Sequence, residues 1–200
     1  MRMISAASPD AALRAGLDLL GRVGDSEESR NGKVWVAPWP VVTTYSNPRN
    51  RVSFWPRRDA NPFFHLVEAM WMLAGCNDVE TVARYAGSMA QFSDDQRTLN
   101  GAYGHRWRKH FPLDQLNWVI YHLREDPDSR RAVVAMWDAA TDPEAIDNGT
   151  KDAPCNTQVY FRLRREPFNH VRVLDMTVTC RSNDIVWGAY GANVVHFSFL

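Results

Sequence analysis

No apolar run in this 200-residue chain approaches the roughly 18 to 20 residues that a membrane-spanning helix needs, so a helical membrane protein is not expected. Net charge is also missing, because 23 basic residues face 23 acidic ones. A chain so balanced projects no broad field towards nucleic acid or lipid, and any phosphate it binds must be held by a few placed arginines. Cysteine is scarce: Cys76, Cys155 and Cys180 make an odd set without metal-type spacing. That disfavours a disulfide framework and a zinc site, and no metal is expected. The opening residues, Met1-Arg-Met-Ile-Ser5, lack the apolar stretch of a secretion signal, so the expected compartment is the cytoplasm. Internal repeats, linkers and low-complexity tracts are absent too.

What is present is ordinary in bulk and uneven in detail. Hydrophobic residues are 45% and charged residues 23%, the balance of a soluble globular protein, and the length suits a single domain over residues 1–200. Eight Trp and nine Phe are generous. They can fill an aromatic core, wall a pocket for a flat ring, or both. A first helix is expected over residues 8–20, with Ser8-Pro9-Asp10 as its cap and Leu13, Leu17 and Leu20 on one face. A polar loop should follow over residues 24–32, then short strands at 34–36 and 41–45. Pro62 opens the most regular helix, in which Phe63, Leu66, Val67, Met70, Trp71 and Leu73 repeat up to Gly75. Further helices are expected at 79–92 and 114–124, with a polar loop before Gly101. The period then becomes two, giving strands at 132–137, 157–163, 171–180 and 185–187, and a last helix starts near Asn193. The class is α+β, with helices packed on a mostly antiparallel or mixed sheet. The chain stops at Leu200 inside an apolar stretch with no breaker, and truncation at the C-terminus is expected.

Three groups of residues could carry chemistry. Cys155 follows Pro154 at the entrance of a strand, where a pocket could expose its thiol; a lone cysteine is more often a small buried hydrophobe. A nucleophilic thiol needs positive charge beside it. Arginines stand next to small hydroxyl or amide residues at Arg30, at Arg130-Arg131 and at Arg181-Ser182, the composition of a phosphate clamp. Each alone is more often an ordinary surface arginine, as Arg162, Arg164, Arg165 and Arg172 are expected to be. Glu68 sits inside an apolar helix, where a carboxylate must be paired or hydrogen-bonded. It could move protons or serve as a structural partner for an arginine.

Several motifs occur in a fixed order: Asn61-Pro-Phe-Phe-His-Leu-Val-Glu68-Ala-Met-Trp71-Met-Leu-Ala-Gly75, Gly101-Ala-Tyr103-Gly104-His-Arg-Trp107-Arg108, Asp114-Gln115, Asp126-Pro-Asp-Ser-Arg130-Arg131, Trp137, Pro154-Cys155 and Arg181-Ser182-Asn-Asp184. From Arg30 onward the chain closely resembles the thymidylate synthases and the related pyrimidine nucleotide hydroxymethylases. The resemblance implies that family's fold, without its final third, and folate-dependent one-carbon transfer from 5,10-methylenetetrahydrofolate, a cosubstrate, to C5 of a pyrimidine nucleoside monophosphate, dUMP or dCMP. It implies Cys155 as the nucleophile adding to C6. Glu68 and Tyr103 would form the proton network at the base. Arg30, Arg181 and Ser182 would hold the nucleotide phosphate, with Arg130 and Arg131 reaching it from the neighbouring subunit of a homodimer. Asn193 would read the base edge, Asp184 would contact the folate, and Trp71 and Trp107 would help wall the folate side. If phage-encoded, such an enzyme works in the host cytoplasm.

The chain departs from the synthase pattern at three places. Asn156 stands where synthases carry His, Cys180 where they carry Gln, and residues 89–92 lack the tryptophan that synthases place over the reacting carbon. That tryptophan is linked to the reductive step giving a methyl group. Without it, water can capture the one-carbon unit, so the resemblance leans to a hydroxymethylase. A true thymidylate synthase, releasing dihydrofolate, is the alternative. A non-catalytic nucleotide- or RNA-binding module is the alternative of another class.

Overall fold

The computed structural model describes residues 1–29, 32–168 and 170–200. Along the chain run β1 (Arg2–Ala6), α1 (Pro9–Val23), β2 (Asp25–Ser29), β3 (Gly32–Val36), β4 (Val41–Tyr45), α2 (Pro62–Leu73) and α3 (Val79–Ala83). Then follow α4 (Tyr103–Arg108), α5 (Gln115–Glu125), β5 (Val133–Ala135), α6 (Asp142–Asp147), β6 (Asn156–Arg165), β7 (Arg172–Cys180) and α7 (Asn193–Phe197). The residues group into two compact units, Met1–His65 with Asn183–Leu200, and Leu66–Ser182.

In the first unit, Ser8 caps α1, its Oγ accepting the Ala11 N–H at 3.3 Å with Pro9 at the first turn. Ala12 and Leu13 are buried against Ile4 and Ala6 of β1 and against Tyr190. Gly16 is needed at this contact, since a Cβ there would lie 2.5 Å from the Tyr190 ring. Strand β1 pairs in parallel with β4, and the Thr43 hydroxyl and Tyr190 phenol meet at 2.9 Å. Two expectations fail here. Residues 25–29, read as polar loop, form β2, antiparallel to β3. Every side chain of β2 is exposed, so the backbone ladder holds it and no hydrophobic alternation marks it. Residues 185–187, read as a strand, begin a wide helical segment, Ile185–Ala192. The Asp184 carboxylate accepts the Val186 and Trp187 N–H groups at 2.8 and 2.7 Å, and this cap overrides the β-branched Ile-Val pair.

In the second unit β5, β6 and β7 form an antiparallel sheet in that order. Val134, Met136 and Val159 are fully buried, and α4 and α5 pack against β5. The expected helix at 79–92 is split into α3 and a tight turn, Gly87–Phe92. Helix α4, six residues long with a glycine at its second position, was not among the expected elements. That glycine is what lets it pack: a Cβ on Gly104 would lie 2.0 Å from the Met72 carbonyl oxygen of α2. Behind α4 lies a buried ion pair. The Arg106 guanidinium donates to both Asp142 carboxylate oxygens at 2.7 Å and to the carbonyls of Asn100 and Met136, with side-chain exposures of 0% and 1%.

Candidate active site

The register of two strands brings the principal groups of the second unit together. Asn156 opens β6 opposite Cys180, the last residue of β7. One step further out, the Arg181 N–H donates to the Cys155 carbonyl at 2.9 Å. The Arg181 side chain then folds back over the segment before the strand. Its Nε donates to Pro154 O and its Nη2 to Ala153 O, each at 3.1 Å, and Nη2 stands 3.9 Å from the Cys155 sulfur. A half-buried thiol thus has a guanidinium fixed beside it by backbone acceptors.

Asn156 anchors this arrangement from inside. It is fully buried, and its Nδ2 donates to Thr179 O at 2.8 Å and Gln158 O at 3.1 Å, at the point where the β6–β7 register shifts. Its backbone N–H donates to the Tyr103 phenol oxygen. Burial first, then the neighbouring Cys155, Cys180 and Asp152, push that phenol far above its ordinary value. Tyr103 is therefore a neutral hydroxyl, able to donate a proton throughout the physiological range. Cys180 is pushed up to about 11 by burial and then by Cys155, and stays a thiol.

The approach to Cys155 is fastened to the segment ahead of α4. Asp152 Oδ2 accepts the Gly101 N–H at 2.7 Å, and a Cβ on Gly101 would lie 2.7 Å from Asp152 Oδ1. Thr150 and Lys151 are held by the Asp94 carboxylate. Beside Arg181 opens a cleft of about 460 Å³ lined by Ala135, Trp137, Thr157, Gln158 and Arg181.

The remaining candidates fall as follows. Glu68 lies on α2, half-buried, with its Oε2 sealed from solvent, one turn before the Met72 that Gly104 packs against. Trp71 and Trp107 are 6% and 1% exposed, core residues of the second unit, and the Trp71 indole N–H donates to Asp78 at 2.9 Å. Arg130, Arg131 and Ser182 are exposed on loops. In the first unit Asp184 uses one oxygen to cap the segment after it, and Asn193 donates its Nδ2 to Asn183 Oδ1 at 3.0 Å. Arg30 lies outside the described residues. Among the described residues no cluster of His, Cys, Asp and Glu is arranged to hold a metal ion, and no helix is long and apolar enough to cross a membrane.

Sequence reasoning did not foresee the Asn156 anchor, the Asp152–Gly101 tie or the place of Cys180 beside Cys155. The residues at 156 and 180, which depart from the synthase pattern, signalled the first and the last, and nothing in the sequence signalled the Asp152–Gly101 tie.

Comparison with known proteins follows the same lines. A sequence model of the family described as thymidylate synthase matches residues 21–200. The deoxyuridylate hydroxymethyltransferase of Pseudomonas phage M6 is 50% identical over 200 residues, which is 100% of this chain and 55% of that protein. Its counterpart from Bacillus phage SP01 is 40% identical over 169 residues, 80% of this chain and 42% of that protein. The chain spans about half the length of these curated relatives. The crystal structure of thymidylate synthase from T4 phage aligns with a TM-score of 0.51 at 23% identity, over 68% of this chain and 49% of that one, a likeness of fold.

Proposed function

Because the chain belongs to the thymidylate synthase family, we propose that it is the part of a deoxyuridylate hydroxymethylase that carries the nucleophile, Cys155, and much of the nucleotide site. One observation carries the chemistry: the Arg181 guanidinium, fixed on the carbonyls of residues 153 and 154, stands 3.9 Å from the Cys155 sulfur. That contact fixes a positive charge beside the sulfur that attacks C6 of a uracil. Adding sulfur at C6 places the ring's electron pair on C5, which becomes the nucleophilic carbon. The identity to phage deoxyuridylate hydroxymethyltransferases supports the uracil nucleotide and the hydroxymethyl product over the methyl one.

Each neighbouring residue then has a task that its chemistry suits. Tyr103, a neutral phenol fixed by the Asn156 N–H, holds a proton next to the reacting ring. Glu68 orders water and protons on the side of α2. Arg181, which also lines the cleft, offers its exposed face to the phosphate together with Ser182 and Arg30. Arg130 and Arg131, exposed and with guanidinium groups that make no hydrogen bond among the described residues, reach the phosphate of a second subunit in a homodimer. The Asn193 amide, turned by Asn183, retains Oδ1 and one N–H for N3–H and O4 of uracil.

The folate site can be tested on Asp184 and its neighbours. One carboxylate oxygen caps the helical segment, and the other takes no hydrogen bond among the described residues. Trp187 beside it is 70% exposed. A carboxylate acceptor next to an exposed indole, one face of which carries the Arg58 guanidinium at 4.6 Å from the ring centre, suits the donor edge and flat face of a pterin. The folate-side role of Trp71 and Trp107 rests on the family resemblance alone. When bound, 5,10-methylenetetrahydrofolate supplies the one-carbon unit.

The test is to incubate the protein with dUMP tritiated at C5 and methylenetetrahydrofolate. The expected result is release of tritium to water and a 5-hydroxymethylated nucleotide, with tetrahydrofolate and no dihydrofolate. Thymidylate with dihydrofolate would replace the hydroxymethylase reading by the synthase one. Failure to release tritium from folded protein would leave a binding module.

A further inference from the structure

The two exposed arginines Arg130 and Arg131 pose a problem of placement. Neither guanidinium is hydrogen-bonded within the described residues, so only the backbone that carries them sets their direction. That backbone is the short connection from α5 to β5, and it is pinned at one residue. Ser129 is 5% exposed although both its neighbours are open to solvent. Its N–H closes a turn on Asp126 O at 3.1 Å, and Asp126 itself caps α5 on His122 O at 2.9 Å. The Ser129 hydroxyl accepts the Arg131 N–H at 3.3 Å and meets His122 Nε2 at 2.6 Å. The imidazole is oriented in turn by Trp118, one turn earlier on α5, stacked on it at 4.8 Å and 9°. Indole, imidazole, hydroxyl and Arg131 amide thus form one chain from the helix to the arginines. No part of the chemistry proposed above uses it.

We infer that His122 is a positioning residue, which through Ser129 holds the Arg130–Arg131 loop in the direction that presents both guanidinium groups to a nucleotide phosphate. The inference rests on the reading of these arginines as phosphate ligands. A serine hydroxyl has one proton and two lone pairs. With the Arg131 N–H on one lone pair, the hydroxyl is satisfied inside the protein only while His122 faces it. Removing the imidazole leaves a buried hydroxyl short of a partner and frees the loop to turn.

The experiment measures binding by quenching of tryptophan fluorescence, with dUMP and with phosphate-free deoxyuridine, on the full protein. His122→Ala is expected to weaken dUMP about tenfold, the scale of one lost hydrogen bond, and to leave deoxyuridine within about twofold. Ser129→Ala should match it, and the double variant should be no worse than either single one. His122→Gln, whose amide can still meet the hydroxyl, should recover part of the loss and serves if the alanine variant folds poorly. Two results overturn the inference: unchanged dUMP affinity in His122→Ala and Ser129→Ala, or equal losses for dUMP and deoxyuridine. Arg130→Ala with Arg131→Ala separates the two levels. If that pair weakens dUMP and the His122 variants do not, the positioning role alone fails. If that pair leaves dUMP unaffected, the phosphate reading fails and the inference falls with it.

Discussion

Replacing Asp142 by alanine should cost more stability than almost any other single change in the second unit. The Arg106 guanidinium is 0% exposed, and two of its contacts are the Asp142 oxygens at 2.7 Å. After the substitution it keeps, among the described residues, the backbone carbonyl oxygens of Asn100 and Met136 and a 3.4 Å bond to the Asn100 side-chain oxygen, and its charge stays out of reach of water. Asp138 loses the acceptor of its N–H as well. Breaking a buried pair on one side costs about 3–5 kcal/mol, a large share of the about 5–15 kcal/mol that holds a domain together. Removing both charges should cost less, because a buried pair roughly balances its own desolvation. Arg106→Met with Asp142→Ala is therefore expected to be more stable than Asp142→Ala alone. Urea denaturation followed by tryptophan fluorescence gives both numbers. A single-variant loss under about 1 kcal/mol, or a double-variant loss equal to the sum of the singles, would refute the reasoning. The effect bears on function because Arg106 and Tyr103 share α4.

Three further outcomes follow from the geometry. Gly104→Ala forces a methyl against the Met72 backbone, 2.0 Å from its oxygen, and should cost about 1–3 kcal/mol or more by thermal denaturation; an unchanged melting temperature would show the close approach is relaxed. Cys180, with its thiol pushed up to about 11, is ionised in only about one molecule in a thousand at pH 8, so its alkylation should be slow there and rise about tenfold per pH unit; peptide mapping that finds Cys180 labelled at pH 8 as fast as a free thiol contradicts this. The Asp95 carboxyl is held well below its ordinary value by the N–H groups of Thr98 and Arg97 and by the Thr98 and Ser93 hydroxyls. A lowered folded value means that its stabilisation is complete above the unfolded value near 4 and disappears as pH falls through the folded one. Asp95→Asn should therefore lower the urea midpoint at pH 7 and converge with the wild type in strong acid, and an equal deficit at both ends would contradict the assignment.

The α+β class and most elements were legible because they leave a period in the residues. Leu13 of α1, and the alternation through Val159 and Phe161 of β6, report burial directly. Elements held by polar contacts escaped. Strand β2 buries no side chain, α4 is only six residues long and too short to show a period, and residues 185–187 follow the Asp184 cap against their own β-branched character. The site divides the same way. Cys155 and Arg181 stand out by residue type and motif order, and the β6–β7 register joins them across the hairpin. The Asn156 and Asp152 contacts and the His122–Ser129 bond depend on pairings between distant polar groups, which leave no period. The motifs of Trp71 and Trp107 are plain in the sequence, whereas their burial in the core of the second unit is seen only in the structure.

The claim on which the rest depends is that Cys155 forms a covalent bond to C6 of the nucleotide. A uracil nucleotide bearing fluorine at C5 cannot lose that substituent as a proton is lost, so the adduct should persist once formed. Intact-mass measurement after incubation with 5-fluoro-dUMP and methylenetetrahydrofolate should show the wild-type protein and Cys180→Ser shifted by the mass of the bound species, and Cys155→Ser unshifted. An adduct that survives in Cys155→Ser, or maps to Cys76 or Cys180, would contradict the account.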